Sequence, residues 1–230
     1  MSGNSRNVIF VGTTAQGCGD LHSLLGDSFQ ILPPVKRGDV PMITRTLPPA
    51  TLVIVDGLFH GCLAVGHAEI LDALRSGWNV WGLSSMGAIR ACEMRDFGMK
   101  GFGQVYRLFV AEEDFQDDEV ALLHGSLPPY PAFTEPLVHL RVAIEELQRH
   151  QFLSLSKARK VRDQLKCLWY GKRTLTLFTS LILPLVSAKK RADAAQFLSP
   201  FSRFRIKTLD LQQFLQEQPW HEYHTSSSTL

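Results

Sequence analysis

Val80-Trp81-Gly82-Leu83-Ser84-Ser85-Met86-Gly87-Ala88-Ile89-Arg90-Ala91-Cys92-Glu93 changes period part-way along. Its first four residues form a short apolar run of the kind that fills a strand buried on both faces. Ser84 and Ser85 close that run as turn residues, and Met86, Ile89 and Cys92 then recur at helical spacing. Three earlier runs end the same way. Val8–Val11 closes on Gly12-Thr13, Phe29–Leu32 on Pro33-Pro34, and Leu52–Val55 on Asp56-Gly57. A helical stripe of Ile70, Leu71 and Leu74 lies between the third and fourth runs. Strands alternating with helices in this order predict an α/β fold, a Rossmann-like open parallel sheet of about four strands.

Beyond Gly103 the pattern is helical. Leu140, Ile144 and Leu147 predict a helix over Leu137–His150, and Ser156 is positioned to cap a basic helix that turns Val161, Leu165 and Leu168 inward. Leu209–Gln218 reads as another helix and Thr225–Leu230 as a frayed tail. The expected division is an α/β core over residues 1–130 and a helical C-terminal extension over 131–230. Charge divides similarly: residues 1–150 carry 11 Lys/Arg against 17 Asp/Glu, and residues 151–230 carry 13 against 5. The basic half lacks the interleaved aromatics of an RNA-binding sheet, which argues against nucleic acid and for an acidic protein partner or a solvated surface. Leu175–Ser187 is too short for a membrane span and holds Pro184. Met1–Asn7 lacks a signal peptide's apolar segment, and four scattered cysteines form no CxxC pair. A cytoplasmic protein is expected.

In a parallel sheet the carboxyl ends of the strands share one edge, where ligands bind. Thr13 and Thr14 fall at such an end, as do Lys36, Arg37 and Asp39, then Asp56 with Gly57, and finally Ser84 with Ser85. Each has an ordinary reading as a turn or cap. The fourth group approximates a nucleophile elbow, with Ser85 central, Gly87 two residues on, and Leu83 where a small residue is usual. The Met86 N–H, at a helix N-terminus, would supply half an oxyanion hole. The competing reading is that Ser84 or Ser85 only caps the helix. His67, on an inward stripe with Leu71, is a candidate base, and Arg90 with Glu93 is either functional or a plain helix ion pair. The acidic runs Glu112-Glu113-Asp114 and Asp117-Asp118-Glu119 lack the spacing of a calcium loop. Gly98, Gly101 and Gly103 point to a close backbone approach by a ligand or peptide tail.

At these residues the sequence resembles the TfuA-like family. The stretches that carry the likeness are PPVKRGD (Pro33–Asp39), IVDGLF (Ile54–Phe59), HAEIL (His67–Leu71), GLSSMGAIRACE (Gly82–Glu93), FGMKGFG (Phe97–Gly103) and DDEVALLHG (Asp117–Gly125), with PLVHLR (Pro136–Arg141) after them. The chain departs from the family pattern at Leu83 and Cys92, where alanines are usual, and in the loop Thr13–Gly19. The resemblance implies a partner of a YcaO-type enzyme in peptide backbone thioamidation, which releases sulfide from a thiocarboxylated ubiquitin-like sulfur carrier protein. A precursor peptide is a further possible partner, and no cofactor is implied.

Under that resemblance the catalytic candidates are Ser85, Ser84, His67, Glu69, Arg90 and Glu93. The substrate-binding candidates are Arg37, Asp39, Asp56, Gly57, Met86, Gly87, Gly101, Asp118 and Glu119. Arg37 and Arg90 suit an anionic thiocarboxylate, because a guanidinium stays charged and binds in a fork. Two readings compete: a hydrolase of the carrier, and a non-catalytic adaptor that brings carrier or peptide to the YcaO enzyme. A nucleotide-binding module is a more distant third, since Gly12 ends the first strand without a GxGxxG pattern.

Overall fold

The computed structural model describes residues 6–59, 61–113 and 115–224. The expected tail at Thr225–Leu230, the residues Met1–Ser5 and Asp114 lie outside them. Five strands form one all-parallel sheet: β1 (Asn7–Phe10), β2 (Phe29–Leu32), β3 (Thr51–Ile54), β4 (Asn79–Leu83) and β5 (Lys100–Phe102), in the order β2-β1-β3-β4-β5. The four apolar runs are thus four of the strands, and the three central ones are almost wholly buried. The fifth was not read from the sequence. It has three residues, and at its centre a Cβ on Gly101 would lie 2.1 Å from the Tyr106 ring. A position that only glycine fits carries none of the bulk by which a strand is recognised.

Helices follow the strands: α1 (Leu21–Leu25), α2 (Asp39–Thr46), α3 (His67–Arg75), α4 (Met86–Glu93) and α5 (Gly103–Ala111). Successive strand residues face opposite ways, so the sheet feeds two cores. Val8, Phe10, Leu52, Ile54 and Val80 pack with Val40, Ile43, Ile70, Ala73 and Ala91 of α2, α3 and α4. Ile9, Val11, Val53, Val55, Trp81 and Leu83 pack on the other face with Leu25 of α1. That second face also receives Leu211, Phe214 and Leu215 from the last helix of the chain.

The chain divides into two compact units. The first holds the sheet up to Phe115 and resumes at Lys207; the second is Gln116–Ile206. The second unit is built from α6 (Leu137–Arg149), α7 (Leu155–Lys166), α8 (Leu175–Ile182) and α9 (Arg191–Phe197). Its core joins Leu140, Ile144 and Leu147 to Val161, Leu165, Phe178 and Ile182, with Leu168 partly buried against it. Helix α7 starts one residue before Ser156. Its cap is Ser154, whose side chain accepts from Lys157 N–H, and Ser156 takes a place in the first turn instead. The final helix α10 (Ile206–Glu217) returns to the sheet. Among the described residues no helix is long and apolar enough to cross a membrane.

Candidate functional site

Helix α4 lies backbone to backbone on the sheet. A Cβ on Gly87 would stand 1.7 Å from the Ile54 carbonyl oxygen, and one on Gly82 2.1 Å from the Gly87 oxygen. Gly57 is confined likewise, its Cβ position 2.6 Å from Met86 Cγ. This approach lets Gly87 N–H donate to Val55 O at 3.2 Å. The chain must therefore turn within two residues between β4 and α4. Ser84 accomplishes this with φ 64°, a conformation that costs a β-substituted residue about 1–2 kcal/mol. It is fully buried, and its Oγ donates to Lys207 O at 2.8 Å.

Ser85 occupies the N-cap position of α4, yet its side chain makes no cap bond. Its residue is 2% exposed, and among the described residues its hydroxyl has no hydrogen-bond partner. Neither serine caps the helix. Ala88 N–H bonds Ser85 O and Gly87 N–H bonds Val55 O, which leaves Met86 N–H beside the Ser85 hydroxyl without a partner among the described residues.

At β1 the strand order reverses, which places a crevice between the ends of β1 and β3. In a dinucleotide fold, the amides of this first turn receive a diphosphate. Here they receive the protein's own carboxylate. Asp56 Oδ2 accepts from Gly12 N–H at 2.8 Å and Thr14 N–H at 2.9 Å, and Oδ1 from the Thr14 hydroxyl at 2.6 Å. The nucleotide-binding reading loses its phosphate site to Asp56.

A charged cluster assembles around residues 64–69. Arg37 Nε donates to Ala64 O at 3.2 Å and Arg90 Nε to Val65 O at 3.0 Å, so two arginines hold consecutive carbonyls of one loop. Glu69 accepts from Gly38 N–H and Gly66 N–H and lies 3.7 Å from Arg37 Nε. Glu93 joins His67 Nε2 at 2.8 Å to Arg90 Nη1 at 2.6 Å. Thus Arg37, His67, Glu69, Arg90 and Glu93, dispersed in sequence, form one constellation, in which His67 is not on the inward stripe expected of it but is 54% exposed in the first turn of α3, turned to Glu93. No hydrogen bond joins it to Ser84 or Ser85 among the described residues. Asp39 is engaged locally, taking Lys36 N–H and the Lys36 ammonium at the start of α2.

The glycines after α4 admit the protein's own side chains. Tyr106 fills the space over Gly101, and Gly103, at φ +90°, faces the Asp210 carboxyl. Asp210 accepts from Gln104 N–H at 2.7 Å and Val105 N–H at 2.9 Å, closing the N-terminus of α5. Burial pushes its carboxyl up to about 6. Asp118 and Glu119 belong to the second unit. Asp118 pairs with Arg173 at 2.6 Å and Glu119 with Arg141 at 2.9 Å. Burial, against the pull of Arg141, holds Glu119 above the usual carboxylate range.

Sequence reasoning missed Lys207, Thr208 and Asp210, which support the sheet edge from about a hundred or more residues away. It also missed Arg173, the buried partner of Asp118. No local pattern marks such long-range partners.

A family model described as TfuA-like protein matches residues 56–174, more than half of the chain. The chain belongs to the TfuA-like family. No curated protein matches it. Membership associates this TfuA-like protein with YcaO-type thioamidation. The matched span begins at Asp56 and takes in His67, Glu69, the Ser84-Ser85 turn, Arg90, Glu93, Asp118 and Glu119. Arg37 and Asp39 precede it.

Proposed function

We propose that this TfuA-like protein hydrolyses a thiocarboxylated ubiquitin-like sulfur carrier and so delivers sulfide to a YcaO-type enzyme that thioamidates a precursor peptide. One observation carries the reading: the hydroxyl of a serine that is 2% exposed, at a strand-to-helix turn and without a bond of its own, adjacent to an unpaired helix N-terminal amide. Ser85 is the nucleophile and Ser84 the residue that bends the chain, because the Ser84 hydroxyl is already given to Lys207 O.

Ser85 Oγ attacks the acyl carbon, the C–S bond breaks, and HS⁻ departs with the hydroxyl proton, leaving a serine ester. Water then cleaves the ester to the carboxylate and a proton, and the serine is restored. The overall change is thiocarboxylate plus water to carboxylate plus H₂S. Oxyanion charge develops where Met86 N–H points. An anionic thiocarboxylate resists attack until a cation offsets its charge, and Arg37 with Arg90 serves that purpose. His67, held by Glu93, is assigned the proton transfers.

The test is mass spectrometry of thiocarboxylated carrier incubated with this protein alone. Conversion to the carboxylate is expected, and Ser85→Ala should lower the rate by about three orders of magnitude. Because the Ser85 hydroxyl has no partner, its loss should leave the melting temperature unchanged or higher. Wild-type protein that leaves the carrier intact while stimulating the YcaO enzyme would establish the adaptor role instead.

A further inference from the structure

Among the described residues four buried side-chain polar atoms lack a hydrogen-bond partner: Thr13 Oγ1, Trp78 Nε1, Trp81 Nε1 and Glu119 Oε2. Trp78 precedes β4, Trp81 lies in its middle, and Glu119 belongs to the second unit. Thr13 alone of the four stands at the carboxyl end of a strand, in the turn after β1 where the strand order reverses. That is where a sheet of this order binds its ligand. A buried hydroxyl left unpaired is unfavourable, because it has given up its bonds to water and gained none in return. Valine has almost the same outline, so the fold by itself gains nothing from the oxygen at position 13.

The turn that carries Thr13 is fixed by bonds that do not use this hydroxyl. Asp56 binds Gly12 N–H, Thr14 N–H and the Thr14 hydroxyl, and Thr208 Oγ1 donates to Thr14 O at 3.0 Å. The end of β3 also ties this turn to the serine turn. Asp56 grips the β1 side, while the carbonyl of the preceding residue, Val55, accepts from Gly87 N–H of α4. Two neighbouring residues thus anchor both turns, and among the described residues unpaired donors remain on each: Thr13 Oγ1 on one side, Met86 N–H and the Ser85 hydroxyl on the other.

We infer that Thr13 is the second donor of the acyl-oxygen site: its hydroxyl and Met86 N–H together bind the oxygen of a thiocarboxylate or carboxylate whose carbon faces Ser85. The inference rests on the hydrolase reading. An oxygen bound this way gains negative charge on attack, so the donor acts chiefly on kcat and little on KM.

Wild-type protein, Thr13→Val and Thr13→Ser are compared for turnover of thiocarboxylated carrier, with melting temperatures recorded alongside. Thr13→Val should melt at the wild-type temperature or above it and lose about 10²–10³-fold in kcat with KM nearly constant. Thr13→Ser, which keeps the hydroxyl, should retain most of the rate. Thr13→Val with wild-type kcat overturns the assignment and leaves the hydrolase reading intact. Wild-type protein without turnover overturns both. Should valine disturb the turn and lower the melting temperature, Thr13→Ala compared with Thr13→Ser decides by the same kcat difference: equal rates in those two reject the role.

Discussion

Arg37 and Arg173 both donate to backbone carbonyls, but the Arg37 side chain is 56% exposed at the sheet's edge and that of Arg173 is 0% exposed. Arg173 is satisfied on all sides. Its Nε bonds Leu165 O, Nη1 bonds Asp118 O, and Nη2 reaches Leu168 O, Lys166 O and the Asp118 carboxylate. Arg37 spends only Nε, on Ala64 O, and among the described residues its Nη groups make no hydrogen bond. The same side chain is thus structural in the helical unit and open to a ligand in the sheet unit. The acids differ by partner rather than by exposure: Asp118, 41% exposed, and Glu119, 1% exposed, each pair with an arginine, whereas Glu93, 39% exposed, is shared between His67 and Arg90. Residue type alone does not mark a site; unused bonding capacity at an accessible edge does.

The strongest way to break this contrast is to delete both guanidiniums in turn. Arg173→Ala strands a carboxylate and several carbonyls, and should cost about 3–5 kcal/mol in urea unfolding. Arg37→Ala removes a half-exposed side chain and should cost under about 1 kcal/mol, while weakening the handling of thiocarboxylated carrier. Arg37→Lys should rescue the latter only in part, because the planar fork is lost. Equal stability losses in the two alanine variants would remove the distinction.

Legibility in the sequence follows the range of the cause. The four longer strands were readable because a strand buried on both faces needs an apolar run, and a turn must close it; those are local demands. The serine turn was readable for the same reason, as Ser84-Ser85 sits between a strand run and Gly87. Which hydroxyl stays unpaired was not, since the Ser84 partner lies 123 residues away. Helix α10 hid its return to the sheet because Lys207, Thr208 and Asp210 are buried and interrupt the apolar stripe. The sequence predicts that a ligand or peptide tail approaches Gly98, Gly101 and Gly103, whereas the groups that approach Gly101 and Gly103 are the protein's own Tyr106 and Asp210, which no local pattern announces.

Asp210 sharpens the comparison, because it is a buried acid within the sheet unit. Its carboxyl is raised from 3.8 to about 6, chiefly by burial and despite two backbone bonds. A raised carboxyl favours the protonated folded state. Its contribution is therefore fully present below pH 4 and lost as pH climbs through about 6, a change of about 3 kcal/mol. Urea melts from pH 3.5 to 7 should show this decline, and Asp210→Asn should flatten most of it. Glu119, also raised by burial, leaves a residual slope of the same sign. An undiminished slope in Asp210→Asn would show that the α5 amides satisfy the charged form.

The smallest expected change in stability belongs to the exposed basic face of the helical unit. Lys157, Arg159, Lys160 and Arg162 lie on α7, whose buried residues are Ala158, Val161 and Leu165. Among the described residues only the Lys157 side chain bonds a backbone carbonyl, Leu185 O, and Arg162 reaches Asp163 at a distance of 3.9 Å. Changing all four to Glu should move stability by no more than about 1 kcal/mol, since exposed pairs contribute little and a Glu in the first turn suits the helix dipole. Association is another matter. Residues 151–230 hold 13 Lys/Arg against 5 Asp/Glu, and a field of that sign steers an acidic protein surface, on the carrier or on the YcaO enzyme. Stopped-flow association with each partner should slow several-fold in the reversed variant, and its salt dependence should flatten, while single-turnover chemistry on pre-bound carrier stays constant. A nucleic-acid partner would instead show a steep log-linear salt slope that reversal abolishes. Association rates indifferent to both reversal and salt would make α7 a solvated face, and the contrast in charge between residues 1–150 and 151–230 would then have no consequence for binding.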